Sequence, residues 1–191
     1  MSFIKTFFPF LILLLLFSCN SKKHEVTVIT EMEFQVLDSL LNDNPVKLSD
    51  SCIMRVPANW NEDSSLLEPL REKLNKTNPY SLDLQKCFYH DASKSILLVS
   101  SINNLDENDY NSVIFVLKKE KKKSINFAQF RHNKIQFDQL ISQDAASVSL
   151  KFMIYDKTKG KFQIDFIIPV EQYSIISKQI ESSIGSVNLI L

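Results

Sequence analysis

The sequence predicts an α+β fold in which a twisted antiparallel sheet is covered by helices and closed by a C-terminal helix. Three observations favour this class. Apolar and polar residues alternate in short runs separated by turn-forming residues, as is typical of antiparallel strands. The last apolar residues instead recur three and four positions apart, as on a buried helix face. Only 2 Gly accompany 14 Phe, which excludes nucleotide sites built on glycine-rich loops.

The first half of the chain is predicted to mix helices and strands. Thr30 and Glu33 have the spacing of a capping box, which predicts a short helix to about Leu41. Two-residue spacing of apolar side chains predicts a strand or a bent pair of strands over residues 46–57. Leucines at helical spacing then predict a helix over residues 66–78.

The second half is predicted to combine hairpins with two further helices. Acidic residues at the start and lysines at the end favour a helix over residues 106–123, in the order that the helix macrodipole stabilises. Gly160 lies in a short polar loop and can supply the positive φ of a hairpin turn. Gly185 lies where a helix C-cap is expected. Hairpins are expected over residues 82–102, 124–139 and 147–168, and the closing helix over residues 173–184.

The first 18 residues have the architecture of a signal peptide. Lys5 supplies the positive start, residues 7–17 form an apolar core, and the small Ser18 precedes Cys19. The apolar core is shorter than the roughly 20 residues that a membrane-spanning helix needs. The alternatives are an ordinary secretory signal, in which Cys19 is incidental, and an uncleaved anchor.

The residues Leu16-Phe17-Ser18-Cys19 resemble the lipobox of bacterial lipoprotein signal peptides. The resemblance implies cleavage before Cys19, a lipid on its sulfur and a membrane anchor that is not readily released. Asn20 is not the Asp associated with inner-membrane retention, which favours the outer membrane. The predicted divisions are a signal peptide over residues 1–18, a lipidated tether over residues 19–25 and a single α+β domain over residues 26–191.

The charge composition does not indicate a nucleic-acid partner. Lys plus Arg and Asp plus Glu each number 22, so the chain has no global field of either sign. Removal of residues 1–18 takes away Lys5 alone among the charged residues, and the mature chain stays near neutral. The predicted partners are therefore the membrane, through the lipid, and another envelope protein.

The segment Pro57-Ala58-Asn59-Trp60 closes a predicted strand, and residues 162–168 lead through Pro169 into the last helix. This layout resembles the PsbP-like family of small α-β-α sandwich domains, over residues 46–187. The resemblance implies a binding or assembly accessory rather than an enzyme, and it brings no catalytic residues with it. Trp60 is the one residue that matches by name, and its side chain is expected to anchor the turn.

The residue types that carry chemistry are scattered along the chain. His24, His90 and His132 lie far apart, with no Cys or carboxylate at a recognised metal-ligand spacing, so neither a metal nor a cofactor is predicted. The sequence has no recognised nucleophile motif, so no catalytic residue is assigned. Four aromatic residues near predicted element ends either line a ligand pocket or fill the core, namely Tyr80, Phe88, Tyr89 and Tyr110.

Two further features are candidate sites that also have ordinary structural explanations. Cys52 and Cys87 remain as a pair once Cys19 is lipidated, and they either form a disulfide or stay as small buried hydrophobes. The one dense charge run either contacts anionic head groups or acidic glycan, or is a solvated helix end. Its lysines are Lys118, Lys119, Lys121, Lys122 and Lys123.

Two functions follow from these patterns, and they belong to different classes of protein. The first is a lipid-anchored cell-envelope protein that binds or helps to assemble another component, and it predicts a groove or an exposed apolar patch. The alternative is a lipid-anchored envelope hydrolase of unknown substrate, which predicts a deep pocket where His90 or His132 meets a carboxylate or a hydroxyl. The absence of catalytic motifs from the sequence favours the first.

Overall fold

A computed structural model describes residues 29–119, 124–156, 158 and 160–190 of the chain. The predicted signal peptide and the whole of the predicted tether, including Cys19, lie outside these residues. The strands are β1 (Thr30–Glu31), β2 (Leu41–Ser49), β3 (Cys52–Pro57), β4 (Asn61–Glu62), β5 (Leu82–His90), β6 (Ser95–Ile102), β7 (Ser124–His132), β8 (Ile135–Gln143), β9 (Ser147–Asp156), β10 (Gly160–Pro169) and β11 (Asn188–Leu189). The α-helices are α1 (Leu67–Thr77), α2 (Glu107–Lys119) and α3 (Val170–Gly185).

Eight of these strands form one large sheet in the order β1-β7-β8-β9-β10-β6-β5-β4. Every pairing in it is antiparallel except that between β1 and β7. A second sheet of three antiparallel strands has the order β11-β3-β2. The α+β class predicted from alternating strands and a closing helix is therefore confirmed.

Helices cover both faces of the large sheet. On β6, Leu97 and Val99 belong to the core that includes Ile176 of α3, whereas Leu98 between them packs under the leucines of α1. On β9, Met153 packs with Ile114 of α2. The helix α3 and the small sheet thus lie on one face, and α1 and α2 lie on the other, because successive strand residues point to opposite faces.

Most of the predicted elements are confirmed. The three hairpins form as β5–β6, β7–β8 and β9–β10. The apolar run in β6 is buried on both faces, with Leu97, Leu98 and Val99 all at 0% exposure. Gly160 has a φ of +102°, a conformation that glycine adopts readily.

The predicted helix over residues 30–41 is wrong. Thr30 and Glu31 pair with β7, and Met32 N–H then donates to the Arg131 carbonyl at 2.8 Å. A single 3-10 turn, Asp38–Leu40, is the helical part of this segment. The capping-box spacing is a local signal. Pairing with the backbone of β7, about 100 residues away in sequence, overrides it and holds the segment in an extended conformation.

The assignment of Gly185 as a helix cap is also corrected. Gly185 is the last residue of α3, and Ser186, with a φ of −81°, caps the helix. A Cβ on Gly185 would lie 2.5 Å from the Cβ of Phe34. Glycine is required here because Phe34 approaches closely. The sequence pattern placed Gly185 correctly at the end of the helix, but the reason for a glycine there is this contact and not a cap conformation.

Candidate functional site

An apolar groove lies between α3 and the large sheet, on the face that also carries the small sheet. Its volume is about 320 Å³, which is at the lower end of the range of about 300–1,000 Å³ that ligand pockets occupy. We call it the α3 groove. It is lined by Met32, Glu33, Phe34, Phe130, Gln139, Ile141, Leu150, Phe152, Tyr173, Ser177, Ile180, Glu181 and Ile184.

The floor of the α3 groove follows from strand alternation. Ile141 and Leu150 face each other across β8 and β9, and Phe152 lies two residues further along β9 on the same face. Phe130 of β7 stacks on Phe137, with ring centroids 4.9 Å apart. These side chains form a continuous apolar surface that α3 covers in part.

The opposite wall is one stripe of α3. Tyr173, Ser177, Ile180 and Ile184 recur at helical spacing along it. Ile180 and Ile184 are buried against the sheet, whereas Ser177 is half-buried. The small serine side chain leaves room at the place where a larger residue would fill the groove.

The end wall of the groove is the segment Met32–Phe34, and it is held by His132. Nδ1 of His132 lies 2.9 Å from the Met32 carbonyl oxygen, and Nε2 lies 2.8 Å from the Gly185 carbonyl oxygen. The Phe34 ring packs edge-on against the His132 ring at 4.9 Å. His132 therefore joins the segment that follows β1 to the end of α3.

Two carboxylates supply the formal charge of the groove lining. Glu33 lies on the end wall and Glu181 on α3, and both are exposed. Arg131 of β7, beside the end wall, is paired with Glu31 at 3.2 Å. No lysine, arginine or histidine is among the lining residues in the described part of the chain, so the mouth of the groove is negative.

A second cavity, of about 530 Å³, lies on the opposite face under α2 and is polar. The hydroxyl of Tyr110 donates to Asp138 Oδ2 at 2.5 Å, and the amide of Gln129 donates to the other carboxylate oxygen. Burial and the Asp138 charge raise the pKa of Tyr110 well above its ordinary value. The cavity is lined by Glu107, Tyr110, Asn111, Ile114, Gln129, Gln136, Asp138, Tyr155, Asp156 and Thr158.

A buried polar network continues on this face towards α1. Tyr80 donates to Gln163, whose amide donates to Asp165. The other carboxylate oxygen of Asp165 lies 3.6 Å from Lys151 Nζ. Burial, followed by the Asp165 charge, raises the pKa of Tyr80 well above its ordinary value. These groups satisfy one another, and the network is part of the core.

Of the two alternatives for Cys52 and Cys87, the structure shows two buried side chains with no disulfide between them. Both side chains are fully buried. Cys52 lies in the core under α3, whereas Cys87 packs against α1 on the opposite face of the large sheet. Burial, followed by the charge of Asp63, raises the pKa of Cys87 to about 11. The two thiols are separated by the sheet and occupy the positions of small hydrophobic residues.

The predicted lysine run ends α2. Lys118 and Lys119 are in the last turn of the helix, and Lys121, Lys122 and Lys123 lie outside the described residues, as does Cys19. Contact of this run with an anionic surface therefore stays a prediction.

The histidines do not meet in one site. His90 Nδ1 lies 2.6 Å from the Ser93 hydroxyl, and the His90 ring stacks on Trp60 with centroids 5.6 Å apart. His132 holds backbone carbonyls, and neither histidine lines the α3 groove or the polar cavity. His24 is outside the described residues. Within those residues, no three His, Cys, Asp or Glu side chains converge in a way that could hold a metal ion.

Of the four candidate aromatic residues, Tyr110 lines a cavity described above, Tyr80 and Phe88 are core residues, and Tyr89 is half-buried on β5. Trp60 is 2% exposed and packs on Phe166 as well as on His90, so it anchors the turn after β3 as expected. The groove residues Phe34 and Phe130 were not singled out from sequence. Alternation places Phe130 on an apolar face, but no sequence signal says which part of that face stays uncovered.

No helix in the described ranges is long and apolar enough to cross a membrane. No protein-family model matches the chain, and a search of curated proteins gives no match. Among solved structures, the chain is similar to the solution structure of cyanobacterial PsbP (CyanoP) from Synechocystis sp. PCC 6803. The identity is 10%, the TM-score is 0.47, and the match covers 91% of this chain and 98% of that chain. A likeness at this level does not assign the chain to a family.

Proposed function

We propose that this chain is a lipid-anchored cell-envelope protein that binds another envelope component in the α3 groove and performs no chemistry of its own. The observation that carries the proposal is the groove itself. Its floor is apolar and is formed by the half-buried Ile141 together with Leu150 and Phe152, which line the groove although they are only 4% and 3% exposed. Apolar surface in a concave site is the usual basis of ligand and partner binding.

The anchor is supported by sequence. Leu16-Phe17-Ser18-Cys19 resembles a lipobox, and an acylated Cys19 would hold the domain at a membrane, with the outer membrane favoured by Asn20. Residues 19–28 connect that anchor to the first described residue, Ile29. At about 3.3–3.6 Å per residue, ten residues reach roughly 33–36 Å when extended. The groove would then operate close to the membrane surface.

The anchor is tested by the intact mass of the membrane-extracted protein, wild type beside Cys19→Ala, with separation of inner and outer membranes. We expect the mass of residues 19–191 plus acyl chains in the outer-membrane fraction, lost in the variant. An uncut or unacylated wild-type chain would contradict the anchor.

The binding role is tested by filling the groove. Ser177→Phe places an aromatic ring at the half-buried position of the α3 wall, and Ile175→Phe is the matched control at a residue of the same helix that is 69% exposed and does not line the groove. In a deletion strain whose envelope defect is restored by the wild-type protein, we expect Ser177→Phe to fail to restore it. We expect Ile175→Phe to restore it as the wild type does. Equal complementation by both variants would argue against the groove.

A lipid-anchored envelope hydrolase is the second candidate, and one observation favours it. His90 Nδ1 lies 2.6 Å from the Ser93 hydroxyl, close enough for proton transfer between them, and the same hydroxyl oxygen lies 2.8 Å from Ser95 Oγ. Ser93 is buried, however, and lies outside both described cavities. Labelling of the full chain by a fluorophosphonate at Ser93, lost in Ser93→Ala and in His90→Gln, would support the hydrolase over the binding module.

A further inference from the structure

We propose that the occupant of the α3 groove is an apolar segment of a partner protein flanked by Lys or Arg residues, an inference that rests on the proposed function of the groove. Two properties of the site define this occupant. The floor selects apolar side chains, and the charges at the mouth select the residues on either side of them.

The size of the groove limits what enters it. A volume of about 320 Å³ is near the lower bound of about 300 Å³ for ligand pockets. It accommodates a few side chains but not a whole helix. The occupant is therefore a short extended or turn segment that inserts its apolar residues between α3 and Phe152.

The charge of the mouth comes from two separate elements. Glu33 lies on the segment that follows β1, and Glu181 lies on α3, so an occupant passes between two exposed carboxylates. The one guanidinium described beside this wall, that of Arg131, is paired with Glu31. Complementary charge favours a basic partner and sets its orientation, while like charge disfavours an acidic one.

The same charges argue against an anionic lipid as the occupant. A fatty acid or an acidic phospholipid that inserted its acyl chain would bring its negative head group to Glu33 and Glu181. Repulsion between the head group and these carboxylates would weaken binding, most strongly at low salt, because salt screens the repulsion. The apolar floor alone would bind an acyl chain or an apolar peptide segment. The two carboxylates favour the basic peptide over the anionic lipid.

The test uses the full-length protein in zwitterionic phosphatidylcholine vesicles, with empty vesicles as the background. Two fluorescent peptides share a Leu-Phe-Leu core and carry either two lysines or two glutamates on each side, and laurate is the lipid probe. We expect the lysine peptide to bind about three- to tenfold more tightly than the glutamate peptide at low salt, the effect of two exposed ion pairs. High salt should reduce this ratio.

Matched variants locate the effect. Glu33→Gln combined with Glu181→Gln should bring the two peptide affinities to within about twofold of each other, because the exposed pairs are removed. Glu171→Gln neutralises an exposed acid on the same helix that does not line the groove, and it should leave the ratio unchanged. Ser177→Phe should abolish binding of both peptides, and Ile175→Phe should not.

The outcomes separate the two proposals. Equal binding of both peptides in the wild type, or laurate binding that Ser177→Phe abolishes while neither peptide binds, would overturn the basic-segment inference and leave the groove as a binding site. If none of the probes binds in a manner that depends on Ser177, the inference fails together with the proposed function.

Discussion

The two faces of the large sheet use their buried surface in opposite ways. On the face under α1 and α2, most of the buried polar groups are hydrogen-bonded, as Tyr110 and Gln129 are to Asp138, although Ser100 Oγ has no hydrogen-bond partner among the described residues. On the face under α3, the buried side chains are mostly aromatic and aliphatic, and part of that surface lines an open groove. A polar ligand under α2 would have to compete with existing hydrogen bonds, whereas an apolar ligand under α3 would displace only water.

Adjacent residues of β10 show the contrast most directly. Asp165 and Phe166 are 4% and 0% exposed and point to opposite faces. Asp165 is stabilised by charge and hydrogen bonds, and Phe166 by contacts with Trp60 and Phe152. Each is expected to be essential for stability, for a different physical reason.

Removal of the aromatic side chain is predicted to have the largest effect. Phe166→Ala leaves a cavity between Trp60 and Phe152, and we expect a loss of about 3–5 kcal/mol in the free energy of unfolding. Urea denaturation followed by Trp60 fluorescence measures it. A loss below about 1 kcal/mol would mean that this face is not packed as described.

Removal of the carboxylate is predicted to cost nearly as much. Asp165→Ala removes the ion partner of Lys151, whose side chain is 15% exposed, and breaking a largely buried pair costs about 3–5 kcal/mol. The double variant Asp165→Leu with Lys151→Met should recover most of this stability, since no buried charge remains. If the double variant were no more stable than the single one, packing rather than charge would dominate on this face as well.

A smaller effect is predicted at the end wall of the groove. Gly185→Ala places a methyl group 2.5 Å from the Phe34 Cβ, so the Phe34 segment must move. Overpacking of this kind costs about 1–3 kcal/mol, and the displaced wall should also weaken binding of the lysine-flanked peptide. Denaturation and peptide titration of the same sample test both effects. A variant with wild-type values in both would show that the wall is not held as described.

The smallest predicted effect is a pH dependence from Cys87. Its pKa is raised from the ordinary value of 9.0 to about 11, first by burial and then by Asp63. As the pH rises, the thiol of the unfolded state ionises before that of the folded state, and this ionisation favours unfolding. The stabilisation is complete below pH 9 and is lost as the pH rises towards 11.

Comparison of wild type with Cys87→Ala isolates this contribution, because the other groups that titrate at high pH are common to both proteins. The stability of the wild type should fall more steeply than that of the variant between pH 9 and 11. Parallel curves would contradict the raised pKa.

The sequence predicted those elements whose signals are local. The β9–β10 hairpin follows from alternation on both sides of Gly160, and α3 follows from the spacing of Ile176, Ile180 and Ile184. The segment after Thr30 was mispredicted because its partner strand β7 is about 100 residues away. Local patterns carry no information about such a partner.

The α3 groove was beyond sequence reasoning for a related reason. The α3 stripe and the alternating residues of β8 and β9 each read as core-facing surface. That Ser177 and Phe152 stand far enough apart to leave a cavity depends on how the helix lies on the sheet. The sequence favoured a groove or an exposed apolar patch. It did not indicate where a groove would lie or that Glu33 and Glu181 would line it.

We propose that the α3 groove, and not the polar cavity under α2, receives a partner. The most direct test replaces Ser177 or Asn111 by a photo-crosslinking amino acid in the full-length protein in living cells and identifies the crosslinked peptide. We predict products from position 177 with another envelope protein, at an apolar segment flanked by lysine or arginine, and none from position 111. Products from position 111 alone, or phospholipid as the adduct at position 177, would contradict the account.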